Sequence, residues 1–470
     1  MSHQKTDLNK SVNLTIDGME VTVPEGTTIL EAARKINVRI PTLCDYPGLG
    51  KRAVCRLCVV ECDGRGKLVA ACANEVWEGV KVVTNNLRIL AIRKTIVELL
   101  LANHPQECLT CVRSGKCELQ TLAITFGIRS SPFRHEAMEP AKNKPESETL
   151  IRDPRKCVKC GRCVEACQEV QTVRAINSSH RSCHYEISTP YKQALCDGPC
   201  IFCGRCAAVC PVGAIYEHDQ TARVWELLKN KEKPVSVRLD PSTAKAFDVE
   251  FDLPPGTVTA GKIAGALKRL GFEKVFDVSI QENAAAAAVT RELLDRIKNK
   301  GQPGKTSGKL PLITGCLPGW AQFTENFYPD LAEHFPAADA ESSKIEGVYI
   351  SSSVTKKHEA HLYAEKNPGN AGTALTPREL ALMIRLGGIE LASLPESPFD
   401  QDNAATAEKN PAPDTVNVNF PTESEGIKET TLDFKGAAIK AISAIGYVNA
   451  RKVLDSVRAG ECDAEFVVIH

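Results

Sequence analysis

The sequence predicts an α+β multidomain protein with small metal-bearing units in its first half and an α/β domain in its second. Two observations carry that expectation. Eighteen of the 20 cysteines lie before position 211, most of them in closely spaced runs, and from about Trp225 apolar strands alternate with helical segments. A chain of 470 residues also exceeds what one hydrophobic core usually spans. Apolar residues at 43% and charged residues at 25% are ordinary globular values, which excludes wholesale disorder. Lys plus Arg equals Asp plus Glu at 58 each, so no net basic field is available to hold nucleic acid or an anionic membrane.

Taken in chain order, Val12, Leu14 and Ile16 alternate with polar residues, Asp17-Gly18 supplies a two-residue turn, and Met19, Val21 and Val23 alternate again: a β-hairpin. Thr28 and Glu31 form a capping box for a helix over 29–36, followed by Pro41 and Cys44. Hairpin, helix, cysteine loop is the order of a β-grasp ferredoxin, expected over 11–86. A second helix over 87–102 ends beside His104 and opens a His/Cys3 unit, 87–135. A two-cluster ferredoxin unit follows over 136–222, and an α/β domain over 223–470, with strands near 235–237 and 310–313 and helices near 263–270 and 290–297. Segments 302–309 and 395–426, rich in Pro, Ser, Asn, Asp and Ala, read as surface loops or poorly ordered insertions. Met1 to Lys10 has no apolar signal region and no apolar run of membrane-spanning length occurs, so the expected setting is cytoplasmic, with thiols held by metal rather than paired in disulfides.

Cys44, Cys55, Cys58 and Cys72 follow a long-loop C…CxxC…C pattern, four thiolates suited to a [2Fe-2S] cluster, with Gly48 and Gly50 expected to allow close approach of peptide to sulfide. Gly48 to Ala53 also spells GxGxxA, but it follows no predicted strand and opens no helix, so dinucleotide binding is discarded. His104, Cys108, Cys111 and Cys117 supply three thiolates and an imidazole for a [4Fe-4S] cluster; exchanging thiolate for neutral imidazole should raise its potential. Zinc is the alternative at both sites on spacing alone.

Cys157, Cys160, Cys163 and Cys167, then Cys200, Cys203, Cys206 and Cys210, are two copies of CxxCxxCxxxC. Three cysteines at intervals of three occupy three corners of a cubane while the fourth of each run reaches the other cluster. The implied sets are Cys157, Cys160, Cys163 with Cys210, and Cys200, Cys203, Cys206 with Cys167. Cys62, Cys183 and Cys196 are surplus, Cys196 being an alternative to its neighbours as a ligand. One [2Fe-2S] and three [4Fe-4S] clusters form a series of one-electron stations.

Four clusters in this order resemble the N-terminal region shared by the [FeFe]-hydrogenase catalytic subunit and the large peripheral-arm subunit of NADH dehydrogenase (complex I). The second half resembles the hydrogenase: Pro311 to Trp320, PLITGCLPGW, is similar to TSCCPxW, and Ser351 to Ala360, SSSVTKKHEA, is similar to MPCxxKxxE, with further likeness around Gly446 to Lys452 and Glu461 to Ile469. In that family the active-site cubane (the H-cluster) hangs on the second cysteine of the first motif, the cysteine of the second, and two more in a final motif. Leu317 and Ser353 stand at the first two positions, and the sequence ends at His470 before the final two. Neither Leu nor Ser replaces soft thiolate on iron. Cys316 matches the neighbouring cysteine and reads as packing, Lys356 and Glu359 match MPCxxKxxE, and Ala288 and Val289 replace an acidic pair of the family's proton route.

The resemblance therefore implies a degenerate [FeFe]-hydrogenase-like domain with no catalytic residues and no independent hydrogenase activity. The expected function is that of an electron-transfer subunit of a multisubunit oxidoreductase, similar to the hydrogenase-like subunit of flavin-based electron-bifurcating complexes and specifically of the Sporomusa-type transhydrogenase. Implied partners are a flavin- and NAD-binding subunit, a small thioredoxin-like [2Fe-2S] subunit, an NADP(H)-dependent or formate-dependent subunit, and ferredoxin. The alternatives are a redox sensor or scaffold, or an electron-transfer subunit of a formate dehydrogenase complex.

Overall fold

The structure, a computed structural model of the chain, describes residues 10–63, 68–133, 147–230, 234–299, 308–336, 347–367, 372–401, 426–434 and 437–470. Ser11–Ile16 and Met19–Pro24 pair antiparallel, with Val12 opposite Val23 and Leu14 opposite Val21. Asp17 and Gly18 turn the hairpin at φ 49° and 84°, the left-handed pair a two-residue turn needs. The period-two pattern buries Val12, Leu14, Ile16, Val21 and Val23 on one face. Strands Lys81–Val83, Val59–Cys62 and Leu68–Ala70 extend this into a five-stranded sheet. The Ile29–Lys35 helix lays Ile29, Leu30, Ala32 and Ala33 on it, and the Thr28–Glu31 capping box forms as expected.

The Leu87–Ala102 helix is N-capped by the Asn86 side chain, which accepts from the Ile89 amide at 2.8 Å. It delivers His104 one residue past its C-cap. The Glu118–Thr125 helix begins directly after Cys117. In the next unit each CxxCxxC run places a glycine, Gly161 or Gly204, at φ 78° or 73°, and a one-turn helix follows, Arg162–Glu165 or Arg205–Ala208. Strands Leu150–Arg152 and Ile215–Glu217 close that unit antiparallel.

The second half holds two four-stranded sheets. One is wholly parallel, in the order Lys274–Asp277, Ser236–Leu239, Val348–Ile350, Thr373–Leu375. The other pairs Leu312–Gly315, Phe466–Ile469 and Ala437–Ala444 in parallel and ends in the antiparallel strand Ile427–Phe434. Purely apolar strands such as Val348–Ile350, buried at every position, are what a sheet covered on both faces requires. The helix expected over 290–297 is the end of a longer one, Val278–Lys298, because alanines 284–288 carry no strong period yet favour helix.

Of the two segments read as loops, 302–307 and 402–425 lie outside the described residues. Residues 395–401 differ from the expectation. They form a strap over the Ala260–Leu270 helix, with the Ser397 amide donating to Gly261 O at 2.9 Å and the Asp400 amide to Val275 O at 2.8 Å. Proline and small residues suit such a strap because Gly261 and Gly265 let it approach the helix closely. Among the described residues no helix is long and apolar enough to cross a membrane.

Candidate metal centres

Three cavities are each lined by one of the expected quartets. His104, Cys108, Cys111 and Cys117 ring one void together with Lys156 and Gly213. Cys157, Cys160, Cys163 and Cys210 ring a second. Cys167, Cys200, Cys203 and Cys206 ring a third. The fourth member of each CxxCxxCxxxC run thus lies with the trio of the other run. The fourth quartet is drawn tighter: Cys58 Sγ lies 3.3 Å from Cys72 Sγ, and Cys44 shares hydrogen bonds with Cys55 and Cys72.

The donor chemistry fits metal. Hydrogen bonds from Cys55 and then Cys72 pull the Cys44 thiol down to about 2, while the same contacts push Cys55 and Cys72 upward. Burial pushes Cys160 and Cys200 up to about 12, Cys203 to about 11, and Cys163 and Cys206 well above the ordinary thiol range. Four thiolates stay ionised in such surroundings only with cations among them. Three thiols at intervals of three, joined by a fourth from the other run, suit an iron-sulfur cluster better than zinc.

His104 carries the sharpest local signal. Its Nδ1 lies 2.9 Å from the Pro105 carbonyl, so that nitrogen donates and Nε2 is left as the lone-pair acceptor. Nε2 is buried with no hydrogen-bond partner, and burial lowers the imidazole pKa, favouring the neutral ring. A buried, unpaired imidazole nitrogen on a cavity wall with three thiols is a ligand's disposition. At the same cavity a Cβ on Gly213 would sit 2.8 Å from Cys111 Sγ, so only glycine leaves room there.

Apolar packing joins the four sites in sequence. One cluster of side chains includes Cys55, Cys117, Cys157 and Cys210; a second includes Cys157, Cys163, Cys200, Cys206 and Cys210; a third includes Cys167, Cys200 and Cys203. Arg162, 3% exposed, ties three of them. Its guanidinium forks onto Glu118, next to Cys117, at 2.6 and 2.9 Å, and donates to the carbonyl of Asp45, next to Cys44, at 2.9 Å. Sequence reasoning missed Arg162; its place inside a ligand run, CGRC, was the available signal.

Gly48 turns at φ 78°, and Gly50 is packed against the Glu165 carboxylate, which Arg52 pairs at 2.9 Å. No helix opens in 48–53, in keeping with the discarded dinucleotide motif. Cys62 is buried in the sheet core, and Cys196 is exposed beside Asp197 and outside the cavity linings. The Cys183 side chain is outside the described residues.

The two hydrogenase-like motifs sit at the carboxyl ends of parallel strands, Leu312–Gly315 and Val348–Ile350, where open α/β sheets bind ligands. Leu317 is packed in the neighbouring apolar cluster, and the Ser353 amide donates to Ser351 Oγ at 3.1 Å. Lys356 and Glu359 satisfy each other at 2.7 Å. Cys316, expected to pack, is instead exposed, with its amide and its thiol both donating to Ile469 O, at 3.0 and 3.6 Å, because strand pairing holds it at the sheet end. Val289 is buried in an apolar cluster, so the helix at that point serves packing.

Residues 233–469 match the family model described as iron only hydrogenase large subunit, C-terminal domain. Residues 9–87 match a 2Fe-2S iron-sulfur cluster binding domain, 93–132 the NADH-ubiquinone oxidoreductase-G iron-sulfur binding region, and 199–216 a 4Fe-4S binding domain. The chain is 38% identical to the NADP-reducing hydrogenase subunit HndD of Solidesulfovibrio fructosivorans over 83% of its own length and 71% of the relative's. It is 30% identical to iron hydrogenase 1 of Clostridium pasteurianum over 82% and 70% of the two chains. Over 43% of its length, and 24% of the relative's, it is 35% identical to the NADPH-Fe(3+) oxidoreductase subunit alpha of Geobacter sulfurreducens.

Proposed function

Because this chain belongs to the iron-only hydrogenase large-subunit family, and because its relatives include subunits of an NADP-reducing hydrogenase and of an NADPH-Fe(3+) oxidoreductase, we propose that it is an iron-sulfur electron-transfer subunit of a multisubunit oxidoreductase without hydrogen chemistry of its own. Cys44, Cys55, Cys58 and Cys72 hold a [2Fe-2S] cluster. His104 with Cys108, Cys111 and Cys117, Cys157 with Cys160, Cys163 and Cys210, and Cys167 with Cys200, Cys203 and Cys206 hold three [4Fe-4S] clusters. Bound there, the clusters supply one-electron storage and transfer at potentials set by their surroundings. The protein's contribution is to exclude water with the three joined apolar clusters, to present neutral His104 Nε2, and to bury a guanidinium, Arg162, among the anionic sites.

The observation that carries the proposal is the meeting of three of the expected quartets each around its own void and of the fourth, Cys44, Cys55, Cys58 and Cys72, in one thiol group, with Leu317 and Ser353 at the hydrogenase ligand positions. We extend it to a flavin-based electron-bifurcating NAD(P)H- and ferredoxin-dependent transhydrogenase. The partners are a flavin- and NAD-binding subunit, a thioredoxin-like [2Fe-2S] subunit and an NADP(H)-dependent or formate-dependent subunit. Anaerobic purification of the native complex tests it. The expected result is about 14 iron atoms per copy of this chain, 2 + 4 + 4 + 4, no hydrogen evolution, and flavin with pyridine-nucleotide oxidoreduction in the assembly. Zinc in place of iron, or hydrogen evolution with about six more iron atoms, overturns the reading.

A further inference from the structure

The hydrogenase-like half grips one of the cysteine-lined cavities from two sides. Beyond Cys167 the chain runs through a turn whose residues Gln171, Val173, Ala175 and Ile176 line the void with Cys167, Cys200, Cys203 and Cys206. The amides of Val173 and Arg174 donate to Cys167 O at 2.9 and 3.1 Å, which folds the turn back on Cys167 and brings the amides of Arg174, Ala175 and Ile176 close to its sulfur. To do so the turn holds Thr172 and Arg174 at φ 57° and 59°, a left-handed conformation that non-glycine residues keep only where their surroundings impose it.

The imposing group comes from 279 residues away. Arg451, on the Gly446–Ala459 helix, donates from Nε to Thr172 Oγ1 at 2.8 Å and from Nη2 to Thr172 O at 2.9 Å. Its guanidinium lies 4.5 Å from the Phe327 ring centroid and 5.1 Å from that of Phe323, both on the Trp320–Phe327 helix, so its plane is fixed by stacking. On the other side of the cavity Phe202, between Cys200 and Cys203, stacks on His358 at 3.9 Å and its carbonyl accepts from Thr355 Oγ1 at 3.3 Å.

We infer that Arg451 is a positioning residue for the cluster of Cys167, Cys200, Cys203 and Cys206: by clamping Thr172 it keeps the turn's amides on the Cys167 sulfur and holds that cluster's reduction potential above the value it takes when the turn is released. The inference rests on the ligand assignment proposed above. Amide donors to a ligand sulfur stabilise the more negative, reduced state, so their loss makes reduction harder. The retained domain thereby acts on the redox poise of a single station.

The test is an EPR-monitored redox titration of the anaerobically prepared full chain with its clusters, in R451A, R451K and T172V, with R458A as control. Arg458 stacks on Tyr328 and pairs with Asp330 but does not touch the turn. The expected result is one [4Fe-4S] midpoint moved to more negative potential in R451A, a smaller shift of the same signal in R451K and T172V, and no shift in R458A. Unmoved midpoints in iron-replete R451A and T172V overturn the inference, and so does a common shift of all signals. Should R451A lose iron, R451K and T172V decide by the same two outcomes. Retention of every cluster signal in C167S is a different failure: it overturns the ligand assignment rather than the clamp.

Discussion

Replacing Arg162 by methionine should destabilise the whole cysteine-rich half. The guanidinium is 3% exposed and makes two charge-assisted bonds to Glu118, at 2.6 and 2.9 Å, and a third to the Asp45 carbonyl at 2.9 Å. Bonds of this kind contribute about 1.5–3 kcal/mol each when buried. The Glu118 side chain is 44% exposed, so water replaces much of what it loses, and its two bonds are discounted to about 1–2 kcal/mol together. The Asp45 carbonyl loses its guanidinium donor at about 1–2 kcal/mol, and methionine recovers part of the packing on the Tyr46 ring, 5.3 Å away. The sum is about 3 kcal/mol, or a fall of roughly 6–12 °C in the unfolding midpoint of a unit of about 200 residues. The assay is thermal bleaching of visible absorbance in anaerobic holoprotein at one fixed scan rate, with iron counted before heating. R162K, which keeps charge but not the fork, should fall between wild type and R162M. An R162M midpoint within about 2 °C of wild type with full iron would refute the reasoning.

Lys357 is 1% exposed and donates to Glu379 Oε1 at 2.5 Å and to the His218 carbonyl at 2.6 Å. K357M removes the cation paired with the buried Glu379 carboxylate, which still accepts from the Gln220 amide and from the Thr376 amide and hydroxyl, and should cost about 1–3 kcal/mol, read as a lowered denaturant midpoint of the α/β half; an unchanged midpoint would show that those three donors suffice. Exchanging His104 for cysteine adds a thiolate at its cavity. The protein should keep its iron while one [4Fe-4S] midpoint moves to more negative potential in an EPR titration, and an unmoved set of midpoints would remove His104 from the ligand set. Burial pushes His358 down to about 4, so the folded state binds that proton less readily than the unfolded chain. The stabilisation is therefore present at neutral pH and declines as pH falls from about 6.5 toward 4, by an amount on the order of 2–3 kcal/mol. H358L should flatten that part of a stability-against-pH curve, and an equally steep curve in the variant would assign the dependence to other groups.

Much of the candidate site was legible because metal chemistry leaves local spacing in a chain. Three cysteines at intervals of three lie within one short stretch of chain, and Gly161 and Gly204 turn each run in the same left-handed way. His104 was legible from its place at the end of an apolar-periodic helix just ahead of Cys108, Cys111 and Cys117. The capping box at Thr28 and the Asp17-Gly18 hairpin turn were legible for the same reason, since each involves residues at most a few positions apart. The exposure of Cys316 was not legible, because a short apolar neighbourhood in sequence does not say which side chain a strand end turns outward. Nor was the strap at 395–401, whose Pro-rich composition is equally that of a loose loop and of one bonded onto a helix.

Thus the amino-acid sequence by itself determined the kinds of donor, their grouping into runs, the α/β character of the second half, and that Leu317 and Ser353 rather than cysteines stand in the two hydrogenase-like motifs. Only the tertiary structure decided that Arg162 bridges to Asp45 and Glu118, that His104 keeps an unpaired buried nitrogen, and that Arg451 reaches Thr172 across the two halves of the chain. The physical reason is one of range. Covalent geometry constrains neighbours within a turn or two, whereas a guanidinium finds a carbonyl more than 100 residues away only after packing has brought their elements together.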